Sequence, residues 1–210
     1  MRKTLDQIGH ETGTDKRSGG CHNYLKYYEM FLAPLRDKPI TLLEQGIWHG
    51  DSLRMWKEYF PDGFIVGLDY EDMSQYQEDR IRTVHGNQND VSFLNKAFSE
   101  YSFDVIADDA GHRGDDQIIA FTTLFPYLKS GGLYFIEDLL CSYHHWADKG
   151  SFIEYIKNKL VDAVQMNGVI PHDKLCSDKA EQVKIYDGDY FEKNIEWIFV
   201  SMGLCIVKKL

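Results

Sequence analysis

Two apolar runs in the middle of the chain each end in a pair of carboxylates. The first run ends at Asp108-Asp109 and the second at Glu137-Asp138, with His112 just behind the first pair. If both runs are neighbouring parallel strands, four acidic side chains and an imidazole meet at one edge of a sheet. Like charges repel each other there unless a cation or a bound substrate offsets them. This concentration of charge therefore predicts a reactive site.

Side-chain alternation along a strand divides the roles of these residues. Asp109, Glu137 and Asp138 supply oxygen ligands that suit Mg²⁺ or a related divalent cation, with coordination positions left for water or substrate oxygens. Asp108 points away from Asp109 and is expected to cap the following helix or turn. Asp108 is also a candidate contact to the cofactor. A lone histidine is more often structural than catalytic, but the unperturbed pKa of His112 suits a general base close to these carboxylates.

A second group of ligand-suited residues lies at the ends of three earlier strands. Glu44 to Gly50 has the pattern E-x-G-x-x-x-G, in which the missing side chain of Gly46 lets a ligand approach the backbone. A helix start that simply needs glycine explains this turn equally well. Asp69 ends the next strand, where its carboxylate can accept both ribose hydroxyls, and HGNQND at 85–90 follows the third strand with amides that can recognise an adenine edge.

The size of Trp48 in the glycine turn favours one class of nucleoside. Its indole occupies the position where dinucleotide folds place their middle glycine, which leaves little room for a pyrophosphate. The turn therefore favours an adenosyl group without phosphate, as in S-adenosylmethionine, over NAD.

Strand-like runs alternate with amphipathic helical patterns over most of the chain. The predicted strands are ITLLE, FIVGLD, IRTV, FDVIADD and LYFIED, followed near the C-terminus by two β-rich runs around Ser201-Met202-Gly203. Residues 10–23 are predicted to be a loop, and one helix is predicted to continue through Leu128. The pattern predicts a Rossmann-like, doubly wound α/β fold: a mostly parallel seven-stranded sheet closed by a C-terminal antiparallel hairpin. Residues 1–210 are expected to form one domain, in which 141–194 is a helix plus a substrate-facing insertion.

Composition excludes several classes of partner. The chain carries 33 acidic and 23 basic residues, a formal net charge of -10, and no basic run, so we expect neither nucleic acid nor a membrane surface as a partner. Its 4 cysteines form no C-x-x-C pair, and we find neither an apolar signal core nor a run long enough to span a membrane. A reducing, cytoplasmic location is expected, and a homo-oligomer is compatible with the sequence.

Several motifs, taken in order, resemble those of one enzyme family. They are GTDK at 13–16, H-x-Y-x-x-x-Y-E from His22, LLEQGIWHGDSLRMW from Leu42, GLD from Gly67, GNQND from Gly86, DDAGH from Asp108 and LFPYLKSGGLYFIEDL from Leu124. In order and spacing the chain resembles the class I S-adenosylmethionine-dependent methyltransferases, and within them the metal-dependent sugar O-methyltransferases of the macrocin and mycinamicin type. Gln45, Asn87 and Ala110 depart from residues common in that family.

The resemblance implies a role for individual positions. It places the divalent metal, Mg²⁺ or another cation, on Asp109, Glu137 and Asp138, and the catalytic base on His112, with Asp109 also counted as catalytic. The implied contacts to S-adenosylmethionine are Glu44, Gly46, Ser52, Asp69 and Gln88. Within an N-terminal cofactor-closing segment, 1–36, Thr14, Lys16 and Tyr24 are implied to close over the methionine moiety.

The acceptor is expected to be a small molecule or glycan with a reactive hydroxyl. Tyr143, His144, His145 and Trp146 could stack on or hydrogen-bond to a sugar, although loops of this composition bind many ligands, and a solvated loop is the default interpretation of the other histidines. We expect methylation of a sugar hydroxyl in a surface polysaccharide or a secondary metabolite. The alternatives are a catechol-like or phosphate-linked acceptor, and a non-catalytic cofactor-binding subunit.

Overall fold

The structure, a computed structural model, describes residues 2–144, 151–166 and 188–210. Seven strands form a single mixed sheet. They are β1 (Thr41–Gln45), β2 (Phe64–Asp69), β3 (Ile81–His85), β4 (Phe103–Asp108), β5 (Leu128–Ile136), β6 (Ile195–Ser201) and β7 (Leu204–Lys209). Their order across the sheet is β3-β2-β1-β4-β5-β7-β6.

Helices connect and cover the strands. The α-helices are α1 (Leu5–Thr12), α2 (Leu25–Leu32), α3 (Asp51–Tyr59), α4 (Val91–Phe98), α5 (Gly114–Leu124), α6 (Phe152–Tyr155), α7 (Val161–Met166) and α8 (Tyr190–Asn194). A π-helical segment, Ile156–Leu160, joins α6 to α7. Short 3₁₀ turns occupy Ala33–Leu35, Ser74–Tyr76, Phe125–Tyr127 and Leu139–Tyr143.

The first five strands are parallel, and β7 runs in the opposite direction to both of its neighbours. β1 pairs in parallel with both β2 and β4, and β7 lies antiparallel to both β5 and β6. The strand order reverses between β1 and β4, and in doubly wound sheets ligands bind at the carboxyl ends of the strands beside such a reversal. The predicted fold class, including the C-terminal hairpin, is confirmed.

Alternation along the strands divides the core into two layers. On one face, Leu42, Val105 and Phe135 belong to a cluster with buried side chains of α1, α2 and α3. On the other face, Leu43 and Ile106 belong to a cluster with buried side chains of α4 to α7. Polar residues that continue these strands are therefore assigned to one face or the other by their position alone.

Helix α1 contradicts part of the predicted loop. Residues 10–12 are its last turn, and the helix begins after Thr4, whose hydroxyl accepts from the Gln7 amide while the Gln7 side chain accepts from the Thr4 amide. This capping box is visible in the sequence and would have predicted the helix. The loop itself runs from Gly13, at φ 92°, to the start of α2.

The end of α5 also differs from the prediction. The helix stops at Leu124, Phe125–Tyr127 forms a 3₁₀ turn, and Leu128 already begins β5. Pro126 explains the change because its ring cannot fit inside an α-helix. Gly131, predicted in a turn before the strand, lies inside β5 at φ 76°, where the pairing of β5 with β4 shifts register.

None of the helices in the described ranges is long and apolar enough to span a membrane.

Candidate active site

Three carboxylates lie at the ends of the central strands on the face covered by α1 to α3, and Glu44 and Glu137 among them are buried. Glu44 is the penultimate residue of β1, and Asp109 and Glu137 follow β4 and β5. The ladder continues past the strand ends, because the Asp109 amide donates to Gln45 O at 2.9 Å and the Glu137 amide donates to Asp108 O at 2.9 Å. Strand register therefore places all three acids on the same face.

Lys16 enters this carboxylate cluster from the loop between α1 and α2. Its Nζ donates to Glu137 Oε2 at 2.9 Å and to Asp109 Oδ2, and lies 3.8 Å from Glu44 Oε1. The residue is 1% exposed. Burial by itself lowers the pKa of Lys16, but the charges of Asp109, Glu137 and Glu44 outweigh burial and raise it well above its usual value. Lys16 is thus a buried ammonium ion.

Glu44 has acceptor capacity that its surroundings do not use. Its side chain is fully buried, and neither carboxylate oxygen has a hydrogen-bond partner within the described ranges. Burial raises the pKa of Glu44 to about 7, against the opposing effect of the Lys16 charge. A buried group of this kind is costly unless a ligand engages it.

Asp138 is held by three side chains from different parts of the chain. Its Oδ1 accepts from Tyr24 OH at 2.9 Å and lies 3.1 Å from His22 Nδ1, and its Oδ2 lies 3.4 Å from His112 Nε2. The backbone at Asp138 is left-handed, with φ 56°. This conformation is uncommon for residues other than glycine and is typical of strained positions at functional sites.

Asp109, His112 and Asp138 have the geometry of a cation site. One ligand atom from each of them lies within 4.8 Å of the others. Two carboxylate oxygens and an imidazole nitrogen fit a divalent cation with coordination positions left open. Glu137, predicted as a third carboxylate ligand, is outside this group, and its oxygens accept from Lys16 and, at 2.5 Å, from Tyr28 OH.

A larger cavity lies at the ends of β1, β2 and β3, next to the carboxylates. It measures about 430 Å³, and its walls include Gly46, Asp69 and Gln88. Gln88 is 9% exposed; its Oε1 accepts from the Gly111 amide at 2.9 Å, whereas its Nε2 is buried without a partner within the described ranges. A volume in the range of small-molecule pockets and an unused donor in the wall fit a nucleoside.

Asp69 links the glycine turn to the end of β2. Its Oδ2 accepts from the Ile47 amide at 2.7 Å, and its Oδ1 accepts from the Glu71 amide at 2.9 Å. Oδ2 also accepts from the Trp48 amide at 3.4 Å, whereas Oδ1 has a second lone pair that can still accept from a ligand at the cavity wall.

Close contacts with other parts of the chain explain why both positions of the turn are glycine. Gly46 has φ 90°, and a Cβ there would lie 2.1 Å from Asp109 O, so the loop after β4 can approach only because residue 46 is glycine. Gly50 has φ 69° at the start of α3, where a Cβ would lie 2.9 Å from the ring of Tyr76. Close approach of a ligand is therefore not needed to explain either glycine.

A smaller cavity of about 50 Å³ connects the carboxylate cluster to the larger cavity. Thr14, Lys16, Ser52 and Asp109 lie in its walls. Gly46 and Trp48 line both cavities. The predicted contacts Thr14, Lys16 and Ser52 are thus brought together, whereas Tyr24 contacts Asp138 instead.

Asp108 lies on the opposite face of the sheet. It is 1% exposed and is not among the residues that line either cavity. Of the predicted helix or turn cap, the structure shows the turn: the Ala110 amide donates to Asp108 Oδ1 at 3.5 Å, whereas the N-cap of α5 is Arg113. Burial raises the pKa of Asp108 well above its usual value. The structure thus does not bring this candidate contact to the cofactor cavity.

Two of the four predicted acceptor residues can be located. Tyr143 ends the 3₁₀ turn after Asp138 and is 71% exposed, and His144 follows it on the surface. His145 and Trp146 lie outside the described residues.

His22 and Tyr28 are site residues that sequence reasoning missed. Both contact acids near the end of β5, and both precede the first strand. In the sequence, the signal for both residues is the H-x-Y-x-x-x-Y-E motif, which contains them and resembles a motif of the family.

Comparisons with known proteins agree with this geometry. The chain is 34% identical over 209 residues to mycinamicin VI 2''-O-methyltransferase of Micromonospora griseorubida, covering 91% of this chain and 49% of that protein. It is 32% identical over 202 residues to demethylmacrocin O-methyltransferase of Streptomyces fradiae, again covering 91% of this chain and 49% of that protein. No family model matches the chain.

Solved structures give the same result. The MycE methyltransferase from the mycinamycin biosynthetic pathway, in complex with Mg, SAH and mycinamycin VI, superimposes with a TM-score of 0.84 at 30% identity. The match covers 99% of this chain and 55% of that one. The chain therefore spans about half the length of the curated relatives it matches.

Proposed function

We propose that this homologue of the mycinamicin- and macrocin-type sugar O-methyltransferases is a metal-assisted, S-adenosylmethionine-dependent O-methyltransferase. The chain has the class I methyltransferase fold. The acceptor we propose is a hydroxyl of a sugar or glycoside. The relatives named above carry out O-methylation of antibiotic glycosides according to their names.

One observation carries the proposal: the cation-binding geometry directly adjoins the nucleoside-sized cavity. Asp109 belongs to the group with His112 and Asp138 and also lines the small cavity that shares Gly46 and Trp48 with the large one. An acceptor oxygen at the carboxylates and a methyl donor in the cavity would thus be close enough to react, which is the main requirement for a two-substrate transfer.

The cavity residues would bind the methyl donor in two parts. Asp69 and Gln88 are placed for the ribose and the base, through the free lone pair of Asp69 Oδ1 and the unpartnered Nε2 of Gln88. Thr14 and Ser52 line the small cavity at the other end of the glycine turn. Glu44, which lines neither cavity, is fully buried two residues before Gly46 and would offer two unsatisfied acceptors to an ammonium group. This arrangement directs the transferable methyl toward Asp109.

A divalent cation would be held by Asp109 and Asp138, with Glu137 as the third predicted ligand, which leaves His112 to act as the base. When bound, the cation lowers the pKa of an acceptor hydroxyl, and S-adenosylmethionine supplies the methyl group. Asp109 and Asp138 keep the acceptor oxygen next to the cavity, and the side chains around them exclude water from the transfer.

His112 would remove the acceptor proton. Its Nε2 lies 3.4 Å from Asp138 Oδ2, which orients the ring, and its Nδ1 has no partner within the described ranges. With the proton of the neutral ring on Nε2, Nδ1 carries the lone pair that accepts the hydroxyl proton.

The acceptor class and the cellular setting belong to the same proposal. The exposed ring of Tyr143 next to Asp138 suits stacking against a sugar. We place the reaction in the cytoplasm, in the synthesis of a surface polysaccharide or a secondary metabolite. The described cysteines Cys21, Cys141 and Cys205 are free, in agreement with a reducing compartment.

Calorimetric titration with S-adenosylmethionine and with S-adenosylhomocysteine tests the donor site. We expect binding of both ligands, and no binding up to about millimolar ligand, the weak limit for a specific site, would contradict the proposal. Turnover against a panel of glycosides, catechols and phosphate-linked acceptors, with and without a chelator, then tests the acceptor class. Chelator-sensitive methylation of glycosides is the expected result, and methylation of catechols alone would replace the sugar assignment.

A further inference from the structure

The segment before β1 supplies a donor or a cation to each of the three predicted metal ligands. Lys16 Nζ contacts Asp109 and Glu137, and Tyr24 OH donates to Asp138. These three carboxylates follow β4 and β5, so the contacts fasten the segment to the carboxyl edge of the sheet.

Backbone contacts close the loop around Lys16. Lys16 O accepts from the Tyr24 amide at 2.9 Å and from the Leu25 amide at 3.2 Å, so the loop returns to its own starting point before α2. Thr14 is 3% exposed and Lys16 is 1% exposed. The Lys16 side chain can therefore leave the carboxylates only if part of this loop moves as well.

The ammonium group of Lys16 and a metal ion would both engage the carboxylate of Asp109. Nζ is within hydrogen-bonding distance of Asp109 Oδ2 and of Glu137 Oε2. Asp109 is also in the group of ligand atoms that fits a cation. A cation that coordinates Asp109 Oδ2 from the cluster side meets the positive charge of Nζ at very short range, where repulsion between like charges inside a protein is strong.

We propose that Lys16 is an internal cation that competes with the divalent metal ion for Asp109 and Glu137, so that metal binding displaces Lys16 and releases the 13–24 loop from the carboxylates. The inference rests on the proposed function, from which it takes the divalent ion. It assigns to Lys16 the control of metal affinity, because the metal ion must disrupt the contacts of Lys16 before it can bind.

Site-resolved lysine labelling of the wild-type protein tests the displacement. An amine-reactive reagent, read out by mass spectrometry, should modify Lys16 slowly without metal because its side chain is 2% exposed. With saturating Mn²⁺ we expect the modification rate of Lys16 to rise about tenfold. This ratio corresponds to a shift of about 1.4 kcal/mol in the equilibrium between Lys16 bound to the carboxylates and Lys16 displaced from them. Lys129 is the internal control, since it also pairs with a carboxylate, Asp104, but has a side chain 40% exposed, and its rate should not change.

Calorimetry on the same samples separates the two ways of failing. If Mn²⁺ binds and Lys16 remains protected at saturation, the displacement is wrong and the proposed metal-assisted function is unaffected. If Mn²⁺ does not bind at all, the proposed metal site and this inference both fail.

The K16M variant tests the competition without requiring movement. Methionine keeps an unbranched side chain of similar length and removes the charge, so we expect Mn²⁺ to bind about tenfold more tightly than to the wild type. K129M is the matched control and should bind Mn²⁺ like the wild type. Unchanged or weaker Mn²⁺ binding by folded K16M would overturn the inference, and the labelling experiment decides the question if K16M does not fold.

Discussion

Two buried polar clusters lie back to back across the carboxyl edge of the sheet, and only one of them contains a cation. On the face of α1 to α3, Glu44, Asp109 and Glu137 surround Lys16. On the opposite face, Asp108 is accompanied by neutral groups: Gln45 Nε2 donates to Tyr134 OH at 3.0 Å, and Gln117 Nε2 donates to Glu137 O at 2.8 Å.

The comparison shows that strand alternation decides which carboxyl group meets a cation. Asp108 and Asp109 are adjacent in sequence, but alternation sends them to opposite faces, and only Asp109 meets an ammonium group. Burial raises the pKa of Asp108 well above its usual value. The proposed cation site and methyl transfer therefore lie on the face that Lys16 reaches.

The largest expected effect is on the charged face. H112A removes the proposed base, so turnover of a glycoside acceptor should fall about 10²- to 10⁴-fold, the usual contribution of general acid-base catalysis. Affinity for S-adenosylhomocysteine should stay near that of the wild type, as measured by calorimetry. H85A, at an exposed histidine that ends β3, is the control and should retain turnover. Wild-type turnover in H112A would remove the base assignment.

A pH-dependent effect is expected on the neutral face. An aspartate in the unfolded chain loses its proton at about pH 3.9, whereas native Asp108 keeps its proton to a higher pH. The native state thus binds more protons than the unfolded state, and stability from Asp108 is present at low pH and lost as pH rises toward its raised pKa. D108N has no such proton.

We therefore expect D108N to gain stability relative to wild type as pH rises above about 4, by about 1 kcal/mol per pH unit. Urea unfolding of both proteins between roughly pH 4 and pH 7 measures this difference. A difference in the free energy of unfolding between D108N and wild type that stays constant across this pH range would show that Asp108 is ionised in the native state.

The smallest effect compares the same truncation on the two faces. Tyr28 OH donates to Glu137 at 2.5 Å, whereas Tyr134 OH accepts from the neutral amide of Gln45. Burial raises the pKa of Glu137, but the ammonium group of Lys16 opposes this rise and donates to the same side chain. Hydrogen bonds to charged groups contribute about 1.5–3 kcal/mol and those between neutral groups about 0.5–1.5 kcal/mol. Y28F should therefore lower the free energy of unfolding by about 1 kcal/mol more than Y134F, in urea unfolding at neutral pH. Equal losses would argue that the two clusters do not differ in charge.

The sequence predicts this comparison only in part. Apolar runs predict the strands correctly, and alternation alone is enough to place Asp108 away from Asp109. The same local patterns do not show that Tyr28 OH donates to Glu137, because the two residues are 109 positions apart and meet only after the sheet has formed.

Lys16 illustrates the same limit for the site. The family-like motif that contains Lys16 predicts that this residue lies near the cofactor, and Lys16 does line the small cavity. Its contact with the carboxylates depends on how the loop before α2 folds back on itself, which no residue pattern near position 16 specifies. Helix α1 is different, since the Thr4 capping box was visible and overlooked.

Metal binding by the two neighbouring aspartate variants tests the central claim most directly. D109N and D108N each replace one carboxylate by an amide of the same shape, on the charged and the neutral face respectively. Calorimetric titration with Mn²⁺ should give D108N the affinity of the wild type and weaken binding to D109N by about tenfold or more, as expected for loss of a charged ligand. Equal weakening in both variants, or wild-type Mn²⁺ affinity in D109N, would contradict the assignment of the cation to the face that Lys16 reaches.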